Sequence, residues 1–163
     1  MFYLKANTQA LQLNLKRSPQ VPQWINTDEP KLRQILINLL SNAIKFINRG
    51  AVTLAVEVNN LQIDNLQKTT ADQFNLIFVV EDTDEGIPDN ELERIFEPFE
   101  QTALGRKASE GTGLGLSISS KFAQLMGGKI TVSSILGEGS IFEVNLPAIK
   151  PINIPVSRLV QAG

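Results

Sequence analysis

The chain has 163 residues, 42% of them hydrophobic, which is enough for one compact domain and too little for two independent cores. Its 15 basic and 17 acidic residues give a net charge of −2, without the basic excess that nucleic-acid binding calls for. Cysteine and histidine are both absent, which excludes disulfides, thiolate and imidazole metal sites, thiol nucleophiles, Ser-His-Asp hydrolysis and a phosphohistidine on this chain. No apolar run approaches the ~18 residues of a membrane span. The start, Met1-Phe2-Tyr3-Leu4-Lys5, also lacks a secretion signal, so the chain is expected to be soluble, cytoplasmic and without direct membrane insertion.

Residues 10–16 alternate Leu11, Leu13 and Leu15 against Gln12 and Asn14, the period of a half-buried strand that Pro19 and Pro22 end. Thr27 and Asp28 then offer capping oxygens and Pro30 suits a first helical turn. Leu32, Ile35, Leu36, Leu39, Leu40, Ala43 and Ile44 follow at helical spacing up to a stop at Asn48-Arg49-Gly50. Residues 51–58 alternate again, and a polar loop over 59–73 leads to an apolar strand over 74–80. Residues 81–100 carry a net −8 against +6 for the remainder, and 89–96 reads as a short acidic helix. A mobile loop over 104–112 precedes a helix over 113–126 that Gly127-Gly128 caps. Residues 129–135 and 140–146 predict a hairpin, after which Pro147, Pro151 and Pro155 break regular structure. The division is a domain over 1–147 and a linker or tail over 148–163.

Three constellations carry chemistry. Asn38, Asn42 and Lys45 fall within about 60° of one another on the long helix, so they share one face beside the apolar one. A merely solvated face favours Glu, Lys and Gln, whereas asparagine is a poorer helix former, so the aligned asparagines point to ligand or metal contact. Asp82 lies where an apolar strand gives way to the acidic turn Thr83-Asp84-Glu85-Gly86-Ile87, a position at which binding groups recur but which a solvated turn would also explain. The third is Gly111-Thr112-Gly113-Leu114-Gly115-Leu116, whose glycines open a helix and can present bare amides to an anion. It is neither a Walker P-loop nor G-x-G-x-x-G.

Together and in this order, these segments resemble the catalytic and ATP-binding domain of sensor histidine kinases, within the Bergerat-fold ATPase superfamily. Residues 38–46 resemble its N box, 82–87 its G1 box, 96–101 its F box and 111–116 its G2 box. The resemblance implies an α/β (α+β) two-layer sandwich, a mixed β-sheet packed on three helices. ATP would lie between the N-box helix and a flexible lid. By position, Asn42 would coordinate Mg²⁺, with Asn38 and Lys45 near the phosphates or the metal's water shell. Asp82 would accept from the adenine amino group with Gly86 and Ile87 beside it, and Thr112, Gly113, Leu114, Gly115 and Leu116 would hold phosphate. Arg106 and Lys107 fall in the lid with no role fixed by the family.

Two departures stand out. Ile47 replaces a frequent threonine, a mild change, and Asp84 replaces the first glycine of the G1 pattern, adding a negative charge expected to cost roughly tenfold in nucleotide affinity. ATP-hydrolysing relatives carry a glutamate base at the position of Asn38, so the resemblance implies a phosphotransferase rather than a hydrolase. With no histidine on the chain, the implied acceptor is a histidine-containing dimerisation domain outside it. A response regulator or receiver domain would lie downstream, and the isolated chain would be a monomer. The competing reading is a degenerate nucleotide-binding or signal-transmitting module in which Asp84 impairs ATP binding.

Overall fold

The computed structural model describes residues 11–47, 49–59, 73–100 and 112–152. The expected loops over 59–73 and 104–112, with Arg106, Lys107 and Gly111, lie almost wholly outside them. Among the described residues, six strands, β1 (Gln12–Arg17), β2 (Ile25–Asn26), β3 (Ala51–Asn59), β4 (Phe74–Asp82), β5 (Lys129–Ile135) and β6 (Gly139–Pro151), and three helices, α1 (Glu29–Phe46), α2 (Asp89–Leu92) and α3 (Gly115–Leu125), follow one another in the order β1-β2-α1-β3-β4-α2-α3-β5-β6. The sheet runs β1-β3-β4-β6, with β5 and the short β2 both paired to β6. Among the described strands only β1 and β3 run parallel and the other pairs are antiparallel, so the sheet is mixed, as expected.

α1 begins where the sequence puts its cap: Asp28 accepts from the Lys31 backbone N–H at 3.2 Å, and Pro30 sits in the first turn, where its missing N–H costs nothing. Its inward face, Ile35, Leu39 and Ile44, is almost fully buried against the helix-facing rows of the sheet, with Leu76, Val80, Val144 and Leu146 at 1% exposure or less. Each such side chain contributes about 1.5–3 kcal/mol of transfer free energy. The helix ends at Phe46 with Ile47 extended, just ahead of the expected stop, and Ile47 turns its side chain into the core at 2% exposure.

Three elements depart from expectation. α2 covers only residues 89–92 of the expected 89–96, because Glu93 and Glu97 would place like charge at the negative end of a longer helix. β4 continues through Asp82, so that carboxylate belongs to the ladder and not to the turn after it. β6 passes Pro147, expected as a breaker, and reaches Pro151. The ladder with β4 shifts register between Phe74 and Leu76, opposite residues 146–149, where a proline is tolerated, and Ile149 beyond it is buried. The expected alternation holds at Leu11, buried just before β1, and fails within β1 at Leu15, which is 61% exposed at the edge of the sheet.

The Asp28 cap supplies one of the few local hydrogen bonds that fix where α1 starts. Asp28→Ala is expected to lower the midpoint of denaturant melts, and Asp28→Asn, which keeps the acceptor oxygen, to lower it much less.

Candidate functional site

Strand pairing builds the first half of the site. β4 and β6 align so that Val80 faces Phe142 and Asp82 faces Ser140, and β5 sets Ser134 beside Ser140. The row of side chains turned toward the helices is thus apolar along most of each strand and becomes polar at this one end. Asp82 is 4% exposed, and its Oδ1 accepts from the backbone N–H of Ser140 at 3.1 Å and of Asp84 at 3.3 Å. Burial first, and the neighbouring Asp84 carboxyl second, push Asp82 up to about 7.

The turn after Asp82 is moored to the β5–β6 hairpin. Ser134 Oγ accepts from the Ile87 N–H at 2.7 Å and lies 2.8 Å from the Gly139 carbonyl, to which it donates. The Gly137 N–H donates to the Glu85 carbonyl at 2.9 Å. Gly86 has φ +73°, and a Cβ there would stand 2.4 Å from the Ile135 carbonyl oxygen, so only glycine lets the turn lie this close. Asp82, Ser134, Gly139 and Ser140 border a hollow of about 220 Å³.

The second half lies where α1 meets α3. A groove of about 740 Å³ is bordered by Gln34, Asn38, Thr112, Leu114, Gly115 and Phe122 among others. Asn38 is not free in it: its Nδ2 donates to the Gly115 carbonyl at 3.1 Å and to Ser119 Oγ at 3.0 Å, while its Oδ1 accepts from Gln34 at 2.8 Å. It clasps the two helices. Asn42, half-buried one turn on, has no hydrogen-bond partner among the described residues, and Lys45 is half-buried. The base of the expected lid is pinned, because the Phe99 N–H donates to the Gly113 carbonyl at 3.0 Å and Gly113 (φ +70°) has room for no Cβ against the Phe99 backbone. Within the F-box segment Phe96 packs edge-on to Phe142, whereas Phe99 is 76% exposed.

α1 joins the halves. Its amide stripe spans ~10 Å from Asn38 to Lys45. The chain leaving the helix presses Gly50 against Thr83, whose Oγ1 accepts from the Ala51 N–H at 3.1 Å, next to Asp82. The Asn38 end of the stripe is therefore at the α3 entrance, and the chain just beyond the helix lies against the turn that follows Asp82. No group of three or more His, Cys, Asp or Glu stands ready for a metal among the described residues.

Residues 27–150 match the family of histidine kinase-, DNA gyrase B- and HSP90-like ATPases. The chain belongs to that family. It is 42% identical over 146 residues to hybrid signal transduction histidine kinase A of Dictyostelium discoideum, covering 86% of this chain and 7% of that protein. It is 40% identical over 147 residues to the aerobic respiration control sensor protein ArcB of Escherichia coli strain K12, covering 89% and 17%. Among solved structures, full-length ShkA in complex with AMPPNP matches with a TM-score of 0.72 at 32% identity, over 94% of this chain and 28% of that one. The catalytic domain of histidine kinase ThkA matches with a TM-score of 0.65 at 25% identity, over 90% and 86%. The chain thus spans a small part of the whole kinases and most of a catalytic domain. It is a histidine kinase-type ATP-binding domain with the Bergerat fold, and the degenerate-module reading is not favoured.

Within this ATPase-family domain, Ser134, Ser140 and Ser119 escaped the sequence reading. Leu136-Gly137-Glu138-Gly139 reads there only as a turn and Ser140 as the start of a strand, and nothing local shows that Ser140 will meet Asp82, 58 residues away in the chain.

Asp82 also fixes a pH dependence of stability. Because its folded value lies above the ordinary 3.8, the folded state binds the proton more tightly, a contribution complete below 3.8 and lost as pH rises through about 7. Asp82→Asn is expected to raise the stability of the ligand-free protein by about 1–3 kcal/mol at pH 8 and by far less at pH 5. Thermal melts at both pH values check this, and an equal shift at both would contradict it.

Proposed function

We propose that this domain binds Mg-ATP and transfers its γ-phosphate to a histidine on a separate dimerisation domain of a two-component sensor kinase. The observation that carries the reading is Asp82, a buried carboxyl fixed by two backbone N–H groups at the polar end of the helix-facing row, in a fold whose α1–α3 groove sets Asn38 against the entrance of the glycine-rich helix. A carboxylate held this way accepts a hydrogen bond from a ligand amino group, here the exocyclic amine of adenine, with Gly86 and Ile87 shaping the turn beside it. Phosphates then fall toward Thr112, Gly113, Leu114, Gly115 and Leu116, where the backbone amides of the helix entrance and the α3 dipole favour negative charge. The AMPPNP bound by ShkA supports an adenine triphosphate as the ligand.

Asn42, with its unengaged amide, is the hard-oxygen ligand for Mg²⁺, and Lys45 supplies positive charge near the phosphates. A site without a carboxylate cluster fits an ion that keeps its waters and arrives with the nucleotide. When bound, Mg²⁺ neutralises charge on the phosphate oxygens. Asn38 is a structural clasp in this reading and no direct phosphate ligand. Its amide cannot serve as a base, and its hydrogen bonds are committed to Gln34, Gly115 and Ser119, so water in the site is not activated.

The chain has no histidine of its own, so the acceptor belongs to a phosphoacceptor domain elsewhere in a longer protein. The hybrid kinases among the relatives support a receiver domain as the next partner. We take the catalytic unit as the expected 1–147 extended to the end of β6 at Pro151, followed by a linker and acting in the cytoplasm.

Calorimetry with Mg-ATP should give a single site, with Asn42→Ala weakening it at least about tenfold. The isolated chain should form no acid-labile phosphate, and adding histidine-bearing dimerisation helices should produce it on them unless Asn42 is replaced. Folded protein that binds no nucleotide at about 1 mM, or acid-labile phosphate on this chain alone, would overturn the reading.

A further inference from the structure

Next to Asp82 the backbone commits its donors to the protein itself. The N–H groups of Ser140 and Asp84 both go to Asp82 Oδ1, and the Gly86 N–H goes to Asp84 Oδ1 at 2.6 Å. The Gly137 N–H goes to the Glu85 carbonyl, and the Ile87 N–H goes to Ser134 Oγ at 2.7 Å. None of these amides is left for a ligand, so the direction of the hydroxyl protons decides what this end of the site can recognise.

A serine hydroxyl has one proton to give and two lone pairs to accept with. Ser134 gives its proton to the Gly139 carbonyl, 2.8 Å away, and accepts the Ile87 N–H. Its 3.1 Å contact with Ser140 Oγ therefore has Ser140 as the donor. Ser134 is then fully used, and the Ser140 hydroxyl sends its proton to Ser134 and keeps only lone pairs for anything that enters beside it. Ser140 is 2% exposed and borders the same hollow as Asp82.

We propose that Ser134 sets the base preference of the nucleotide site: by holding the Ile87 N–H and the Ser140 hydroxyl proton to itself, it leaves oxygen acceptors toward the base, so that a purine with an exocyclic amine is taken and one with a carbonyl in its place is refused. The inference rests on the nucleotide reading above. Ser134 is a positioning residue, which acts through the turn at Ile87 and through Ser140 and touches no ligand. An amine brings two N–H donors to such an end, whereas a carbonyl meets oxygen and leaves the acceptors unpaired, and mispairing of this kind discriminates more strongly than a difference in size. Without the Ser134 hydroxyl, the Ile87 N–H and the Ser140 O–H are released at the same place, and both are donors that a carbonyl can use.

The test compares Mg-ADP with the magnesium complex of inosine diphosphate, whose base has a carbonyl and a protonated ring nitrogen where adenine has an amine and a lone pair. Both are titrated calorimetrically at pH 8, above the Asp82 value of about 7. The unaltered protein is expected to bind Mg-ADP at least about thirtyfold more tightly. Ser134→Ala should weaken Mg-ADP about tenfold and leave the inosine nucleotide unchanged or tighter, so that the ratio falls at least about tenfold. Ser134→Thr, which restores a hydroxyl, should recover most of that ratio. A purely structural role would lower the melting temperature and both affinities together and leave their ratio alone. That outcome, an unchanged Mg-ADP affinity in Ser134→Ala, or unaltered protein that binds both nucleotides alike, would overturn the proposal while leaving the nucleotide site standing. If Ser134→Ala does not fold, Ser134→Cys, whose thiol is a weak donor and acceptor, is titrated in its place against the same outcomes. Absence of Mg-ADP binding by the folded, unaltered protein would instead overturn the nucleotide reading itself.

Discussion

The antiparallel register of β4 on β6 is the constraint from which the rest of the site follows. It sets Val80 against Phe142 and Asp82 against Ser140, so the same alternation that fills the core delivers a carboxylate to the end of the helix-facing row. A slip of one residue would turn Glu81 inward and Asp82 outward, and would also expose Val80 and Leu76. The apolar alternation therefore protects the functional residue: the buried Leu76, Val80, Val144 and Leu146 make the alternative register far too costly. The hairpin from β5 to β6 uses that register a second time, because Ser134 reaches the turn after Asp82 only from beside Ser140.

A buried carboxylate with no cation paired to it among the described residues is a poor way to stabilise a fold, which is why the proposed function gives it a ligand to bind. Asp82 receives two backbone N–H groups on one oxygen, enough to orient it and too little to hold it fully ionised. In the proposed function, a donor from the ligand completes the set. The opposite economy governs Asn38, where every hydrogen-bonding capacity but one lone pair is used within the protein, so that α1 and α3 keep a fixed spacing at the entrance of the glycine-rich helix. One asparagine of the stripe braces the two helices, and in the proposed function the next, Asn42, serves the ligand.

What the sequence by itself determined were the elements whose signal is local. The cap at Asp28, the apolar face from Leu32 to Ile44, the alternation from Val52 to Val58 and the close of α3 at Gly127-Gly128 all follow from periodicity and backbone preference within a few residues. Composition likewise removed histidine and cysteine chemistry before any fold was considered. The order of four short segments pointed to the family, since that order is a one-dimensional property of the chain. What only the tertiary structure decided were relations between distant residues: the meeting of Asp82 with Ser140, the commitment of Asn38 to Ser119, 81 residues on, and the passage of β6 through Pro147 at a shift of register. The physical reason is that a hydrogen bond across a sheet or between helices depends on which strand lies beside which. That choice is made by the packing of the whole core, and no period along one segment records it.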